Sequence, residues 1–372
     1  MLLSNKAKTI SDACRFCWMC RHVCPVGLQT GKEVNNARAK GLLLSLTERG
    51  TEYDESMAEA MWECVLCSSC SNDCATGYEP PVFIREARTQ AVIEGLVPAG
   101  VKRVIDAAMA YGNIFGIAPG DKLASLGKEL SGLPEKADVL LYIGDVTAAG
   151  TPEIAAAAIS LLKKAGISFA VLKNEPSSGA YLGDLIGFVE EVRSLGKALS
   201  AGIDAAGAKT VVALDPIDAR IMKHEYPTWG IAPQANILTA TTYFSQLIES
   251  GKLRPVKPVH PPFVTFHDAG ALARDMDETE PGRKILAAMG IQVKEMFLHG
   301  KLAKSSGGAL LPRYSPSLSV MLAKGRWEDA VRTGVTALVT EAPGSYFALK
   351  PKTPDGMELR DLLVMLESAC RA

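Results

Sequence analysis

Residues 14–25 read CRFCWMCRHVCP and residues 64–75 read CVLCSSCSNDCA. Both stretches space four cysteines as C-x2-C-x2-C-x3-C, followed by Pro25 in the first copy and Ala75 in the second. Three thiolates at two-residue gaps let one tight loop cover three corners of an iron–sulfur cube, while the fourth points away. Cys14, Cys17, Cys20, Cys24, Cys64, Cys67, Cys70 and Cys74 are eight of the nine cysteines in a 372-residue chain, and only Cys370 lies elsewhere. A disulfide framework is out of place in a chain of this size whose residues 1–13 lack the apolar core of a signal peptide. Structural zinc is the competing reading. Zinc takes four ligands, typically as two separated C-x2-C pairs, and gains nothing from a third close cysteine. Ala75 in place of proline alters a turn and leaves the ligands intact.

In two-cluster ferredoxins the fourth cysteine of each run ligates the other cluster. The expected wiring is therefore crossed. Cys14, Cys17, Cys20 and Cys74 would hold cluster 1, and Cys64, Cys67, Cys70 and Cys24 would hold cluster 2. Both clusters would be [4Fe–4S]. Phe16, Trp18, Val23, Trp62, Val65 and Leu66 surround these ligands with apolar side chains, which predicts packing and a drier site that tunes cluster potential.

The composition bounds what else the chain can be. Hydrophobic content of 48% and charged content of 22% describe an ordinary globular protein. With 40 basic and 41 acidic side chains the net charge is −1, so nucleic acid is not an expected partner. No run of 18 apolar residues occurs, which predicts a cytoplasmic chain without direct membrane insertion. Neither GxGxxG after a strand nor GxxxxGK[ST] is found, so no flavin or nucleotide is expected in this chain.

The 39 residues between Cys24 and Cys64 have helical character over 31–44 and 56–63. Another helix is expected over 82–94. The predicted organisation is multidomain, α and α/β: an N-terminal all-helical two-cluster ferredoxin module (1–98), then a helical connector (99–136). Two similar α/β units with parallel sheets (137–254 and 255–372) follow, the second opening with the proline-rich stretch 255–262. In the first unit, strands are expected at 139–143, 168–172 and 210–214, with helices over 152–165 and 182–206. In the second, strands are expected at 263–266, 292–296 and 336–340, with helices over 281–289, 317–333 and 357–370. Alternation at this spacing indicates parallel sheets covered by helices, and its recurrence suggests duplication.

The helical insert resembles the ferredoxin module of succinate dehydrogenase and heterodisulfide reductase iron–sulfur subunits. The whole order is similar to the heterodisulfide reductase-type iron–sulfur subunit family, which includes subunits of anaerobic glycerol-3-phosphate dehydrogenase and glycolate oxidase. The α/β units of that family carry C-C-G, Gly-Cys or His-Asp-Pro-Cys, and Cys-Pro-x-Cys signatures. Here Gly144-Asp145, Ser177-Ser178-Gly179 and Asp215-Pro216-Ile217-Asp218 stand at those places, followed by the family-like His224-Glu225-Tyr226-Pro227. The second unit has His267-Asp268-Ala269-Gly270, Ser305-Ser306-Gly307-Gly308 and Ala342-Pro343-Gly344-Ser345. Serine and aspartate cannot replace a full set of soft thiolates. The resemblance thus implies an electron wire without the family's disulfide-cleaving clusters.

The other candidates have plainer readings. His267-Asp268 fits a general base with its orienter less well than a remnant of the scaffold, at the strand end where this fold places ligands. Asp145, Asp215 and Asp218 could line an acidic pocket. Arg274, Arg283 and Arg313 read as surface ion-pair residues, and Cys370 as a packing residue of the last helix. The expected function is an electron-transfer subunit of a multi-subunit oxidoreductase, with no catalytic residue of its own. Its expected partners are a flavin-containing dehydrogenase or reductase subunit, because flavins convert between one- and two-electron steps, and another electron carrier. The alternative is an enzyme subunit with its own substrate or cofactor pocket in the α/β pair, fed by the clusters.

Overall fold

The computed structural model describes residues 3–256 and 262–370. Most of the proline-rich stretch 255–262 therefore lies outside the described residues. Local chemistry sets the helix starts of the N-terminal module. Ser4, Asn36 and Asp54 accept the N–H groups of Ala7, Ala39 and Met57, and so open helices Asn5–Asp12, Ala37–Glu48 and Glu55–Trp62. Pro80 and Pro81 form the first turn of Pro80–Glu94, where a missing N–H costs nothing. Gly95, at φ 74°, ends that helix. Helix Ala99–Tyr111 then leads into short turns before the first sheet.

The first sheet contains β1 (Val139–Tyr142), β2 (Phe169–Ala170), β3 (Thr210–Ala213) and β4 (Asn236–Thr239), in the order β2-β1-β3-β4. The second contains β5 (Phe263–His267), β6 (Gln292–Val293), β7 (Ala337–Thr340) and β8 (Glu358–Asp361), in the order β6-β5-β7-β8. Every pairing is parallel. The repeated order is the structural face of the duplication suggested by the sequence. In both sheets the order reverses beside the first strand, so the loops after β1 and β3, and after β5 and β7, flank the crevice where such folds place ligands.

The two-residue alternation of strands distributes the core. Leu140 and Tyr142 of β1 and Val211 and Ala213 of β3 enter a core shared with Trp62, Phe83 and Ile84 of the helical module. Their neighbours Leu141 and Val212 point the other way, into a core shared with Phe266, Ile285 and Leu366 of the second unit. The first sheet is thus buried on both faces, which is why its strands read as continuous apolar runs.

Three expectations need correction. The helix expected over 357–370 begins as strand β8, and helix Leu362–Ala369 starts only after Asp361 caps the N–H groups of Leu363 and Val364. The charges of Glu358, Arg360 and Asp361 suit an edge strand that pairs on one side only, and the same polarity hid β4. The helix expected over 182–206 is two helices, Ala180–Ile186 and Glu190–Ala205. Gly187 separates them at φ 84°, and a Cβ there would lie 2.0 Å from Thr89 Oγ1, so this contact with helix Pro80–Glu94 requires glycine. The strands expected at 168–172 and 292–296 contract to two residues each.

A buried ion triad fastens the helical module to the first α/β unit. Asp184 Oδ1 accepts from Arg85 at 2.8 Å and from Arg220 at 3.0 Å. Burial pushes the Asp184 carboxyl up, but Arg220 and Arg85 outweigh it and hold the group at about 2. A depressed carboxyl contributes stability above its unfolded-state value and loses it as pH falls toward the folded value. Asp184→Asn strands two buried guanidinium groups and should cost about 3–5 kcal/mol in urea unfolding at pH 7. The gap between variant and parent should narrow below pH 4, and equal stability at pH 7 would show that the triad does not hold the two parts together.

Candidate iron–sulfur centres and the cavity beside them

Both cysteine runs fold into the same backbone. Among the described residues, five non-glycine residues have positive φ, and four of them flank the middle cysteines of the two runs. Phe16 (56°) and Trp18 (70°) bracket Cys17, and Leu66 (49°) and Ser68 (59°) bracket Cys67. Alternating right- and left-handed residues turn successive N–H groups toward one point, the nest that suits iron–sulfur sites. Non-glycine residues hold such angles only where the surroundings over-determine them.

The thiol groups fall into two neighbourhoods. Cys20 feels the charge of Cys14, Cys17 and Cys74, whereas Cys24 feels Cys67 and Cys64. Cys70 feels Cys67, Cys64 and Cys24, and more weakly Cys20, so the two sets adjoin on this side. The structure thus brings Cys74 to the first run and Cys24 to the second. Thr76 ties the runs together by donating to the Ala13 carbonyl at 2.8 Å. Burial pushes the Cys24 thiol up to about 12 and also raises Cys64 and Cys70. Buried thiolates in such number persist only where metal neutralises them. Cys74 is half-buried, and there the Thr76 hydroxyl with the Thr76 and Tyr78 N–H groups outweighs the upward push of burial. Further donors point at sulfur: Gly27 N–H at Cys24 and Leu66 N–H at Cys64, each at 3.4 Å.

The two neighbourhoods differ in surroundings. Trp62, Leu66 and Val23 are buried as expected, but Phe16 is 53% and Trp18 42% exposed, so these two project outward instead of drying the site. Around the second set lie three cations that the sequence did not single out in this role. Lys40 is 1% exposed and donates to the Val34 carbonyl at 3.0 Å. Arg88 is equally buried and donates to the carbonyls of Met61, Asp184 and the ligand-run residue Cys64. Arg274 donates to the carbonyl of Cys67 at 2.6 Å and to those of Lys301 and Ala303. None of the three has a carboxylate partner among the described residues. Lys40 and Arg88 are buried and Arg274 half-buried; burying unpaired cations is expensive, and an anionic centre beside them offsets that cost. Arg88 was legible in principle as a charge within the apolar face Phe83, Ile84, Ala87 and Ala91 of its helix.

Arg274 is therefore not a surface ion-pair residue. Arg283 does form ion pairs, with Asp268 and Glu295 at 2.7 Å each, but largely beneath the surface, since Asp268 is buried. Arg313 reaches the Ile114 carbonyl at 3.5 Å and lies over the Phe115 ring. His267 and Asp268 do not pair with each other. His267 Nδ1 accepts from Arg326 at 2.9 Å, which leaves the ring proton on Nε2. Burial, with Arg326 and Arg274 nearby, pushes the imidazole well below its ordinary value, so it is neutral. Cys370 is buried at the end of the last helix, as expected of a packing residue.

The signature positions of the first α/β unit converge as a hydrogen-bonded set. Ser177 donates to Asp145 at 2.6 Å, Ser178 donates to Asp218, and Tyr181 donates to Asp215 at 2.6 Å. Lys122 pairs with Asp145 at 2.8 Å and Glu175 at 3.0 Å, all of them buried. Gly144 lies so close to Asp218 that a Cβ would sit 2.4 Å from Oδ2. The acidic pocket expected from the sequence is thus a buried network. In the second unit Ser305, Ser306, His267 and Ser345 line a cavity of about 90 Å³, together with Asp215, Arg220, Cys64 and Cys67. Loops from the carboxyl ends of both sheets meet the second cysteine run there.

Residues 10–78 match the 4Fe-4S dicluster domain family, and this segment is accordingly a dicluster iron–sulfur domain. The chain is 31% identical over 261 residues to a "Probable membrane-anchored ferredoxin" of Chromohalobacter salexigens, covering 68% of this chain and 38% of the relative. It is 27% identical over 253 residues to a "Probable iron-sulfur-binding oxidoreductase FadF" of Bacillus subtilis, covering 64% and 35%. Along 355 residues it is 23% identical to a subunit of the dihydromethanophenazine:CoB–CoM heterodisulfide reductase of Methanosarcina barkeri, covering 89% and 86%. The chain spans little more than a third of the length of the first two relatives. Its homologues are iron–sulfur proteins, and the likeness to the heterodisulfide reductase type extends along most of the chain. No helix among the described residues is long and apolar enough to cross a membrane.

The network predicts opposite outcomes for two substitutions. Asp145 and Glu175 outweigh burial and hold Lys122 above its ordinary value, so Lys122→Met strands two buried carboxylates and should cost about 3–5 kcal/mol. Burial, with Asp215 and Asp145 nearby, raises Asp218 well above the ordinary carboxyl. A raised carboxyl loses stability as pH climbs above its unfolded-state value. Asp218→Asn, always neutral, should therefore gain on the parent between pH 5 and pH 8 in denaturant titrations. A loss relative to the parent over that interval would mean that Asp218 is ionised in the folded protein.

Proposed function

We propose that this chain is the iron–sulfur electron-transfer subunit of a multi-subunit oxidoreductase. Cys14, Cys17, Cys20 and Cys74 hold one [4Fe–4S] cluster, and Cys64, Cys67, Cys70 and Cys24 hold the other. The single observation that carries this reading is the exchange of Cys24 and Cys74 between two identically folded runs. Bound there, a [4Fe–4S] cluster takes up and releases one electron at a time. The protein's own part is to place the two sites side by side, and to set their surroundings differently. Residues 1–98 act as the wire, 99–136 as the connector, and the α/β units 137–254 and 255–372 as a platform for assembly. A subunit carrying a flavin is the partner proposed for two-electron exchange, with the chain itself in the cytoplasm. The complex named for the Methanosarcina relative supports partner subunits in general.

A second reading is favoured by the cavity beside Cys64 and Cys67: an enzyme subunit that binds its own substrate there. Purified chain with viologen as electron donor separates the two. A wire passes electrons only to a protein partner, whereas an enzyme turns over a small molecule in its absence.

The ligand sets predict about eight irons per chain. Cys24→Ser should damage the cluster whose other ligands are Cys64, Cys67 and Cys70, seen as loss of one electron paramagnetic resonance signal with the other retained. Four irons, or zinc, in anaerobically purified protein would defeat the assignment. The cations around the second set make a further prediction. Positive charge favours the more negative, reduced state of a nearby cluster, so Arg274→Gln should lower the midpoint potential of cluster 2. The expected change is on the order of 60 mV, a tenfold change for a one-electron couple. Cluster 1 should move much less in the same spectroscopic redox titration, and equal shifts in both would contradict the placement of this charge.

A further inference from the structure

The two cysteine runs share one backbone, yet only one of them is covered. At the second run the covering comes from the second α/β unit: Arg274 binds the Cys67 carbonyl, and Leu66 is 5% exposed. The equivalent surface of the first run is bare. Residues 15–19 are all exposed, including the ligand-run residue Cys17, with Phe16 at 53%, Trp18 at 42% and Met19 at 50%. Leu66, the counterpart of Phe16, has the same left-handed backbone and is buried, so the difference lies in what covers each run. Arg38 is stacked 3.5 Å from the Trp18 ring centroid and 5.6 Å from that of Phe16, and Arg21 lies 5.6 Å from Trp18. Aromatic and arginine side chains grouped this way are the usual anchors of protein interfaces.

Charge identifies the kind of occupant. Arg15, Arg21 and Arg38 surround the aromatic pair, and Arg49 lines the groove that also contains Arg15, Phe16 and Arg38. The nearby acids are Asp12 in that groove and Glu33, whose contact with Arg21 is a loose 3.7 Å. This is a local excess of cations in a chain whose 40 basic and 41 acidic side chains otherwise cancel. Such a surface attracts an acidic partner and speeds its encounter at low salt.

We propose that the face formed by Arg15, Phe16, Trp18, Met19 and Arg21 is the docking surface for an acidic one-electron redox protein, which exchanges electrons through the first cysteine set. This rests on the electron-transfer reading above. The internal twin supports it, because the same backbone surface, where it is buried, is covered by a protein face carrying a complementary group.

The test uses the full-length protein with its clusters, reduced in a stopped-flow instrument by an acidic plant-type ferredoxin or, separately, by methyl viologen. With ferredoxin, the rate should fall steeply with added salt, and Arg21→Glu should slow it about tenfold at low salt. Met19→Ala should slow it too, without the change in salt dependence. Viologen, which needs no docking face, should reduce parent and variants alike, and that control keeps failure of docking distinct from failure of the wire. Ferredoxin rates unaffected by salt and by both substitutions would overturn the proposal, as would equal losses with viologen in both variants. Concentration-dependent self-association abolished by Arg21→Glu in sedimentation would overturn it as well, by assigning the face to a second copy of this chain.

Discussion

The rest of the structure depends on how the loop from Cys64 to Cys67 is held. Its carbonyl groups accept from two guanidinium groups that come from opposite sides, Arg88 on helix Pro80–Glu94 and Arg274 in the second α/β unit. Both cations are removed from carboxylates and bound to backbone, which leaves their charge directed at the sulfur atoms. Arg88 is buried without a carboxylate partner and Arg274 is half-buried, and a buried unpaired cation is costly at a neutral site. The negative charge of a ligated cluster offsets that cost. The helical module, the first unit and the second unit therefore meet at one electrostatic centre.

The first α/β unit closes the carboxyl end of its sheet with a hydrogen-bonded polar set. Hydroxyl–carboxylate pairs fill the first unit: Ser177 with Asp145, Ser178 with Asp218 and Tyr181 with Asp215. Each pair gives a buried carboxyl group a hydrogen-bond partner, and Lys122 supplies a cation to Asp145 and Glu175. Two-sided burial of the first sheet explains why this unit cannot be discarded. Leu140 and Tyr142 support the module that carries the cysteines, while Leu141 supports the second unit.

The two cysteine sets sit in unlike surroundings. The first is half open, with aromatic and arginine side chains around Cys17, and the second lies beneath two α/β loops. The two adjoin on the side of Cys70.

The sequence by itself determined the chemistry and the order of parts. Cysteine spacing identified two iron–sulfur runs, because only a tight loop of three thiolates suits a cube. Apolar runs and their repeat revealed two parallel units, since strands buried on both faces carry no polar alternation. Edge strands β4 and β8 escaped, because one-sided pairing lets them keep the polarity of Asn236 or Glu358 and Arg360. Only the tertiary structure decided which charges matter. Arg274 lies 207 residues from Cys67, and nothing in its own neighbourhood distinguishes it from a surface arginine. Phe16 and Trp18 read as packing residues, yet the fold leaves them exposed where it covers the equivalent Leu66, and Lys40 became a buried cation only once its helix lay against the second cysteine set. Side-chain type is local, but burial and charge environment belong to the whole fold.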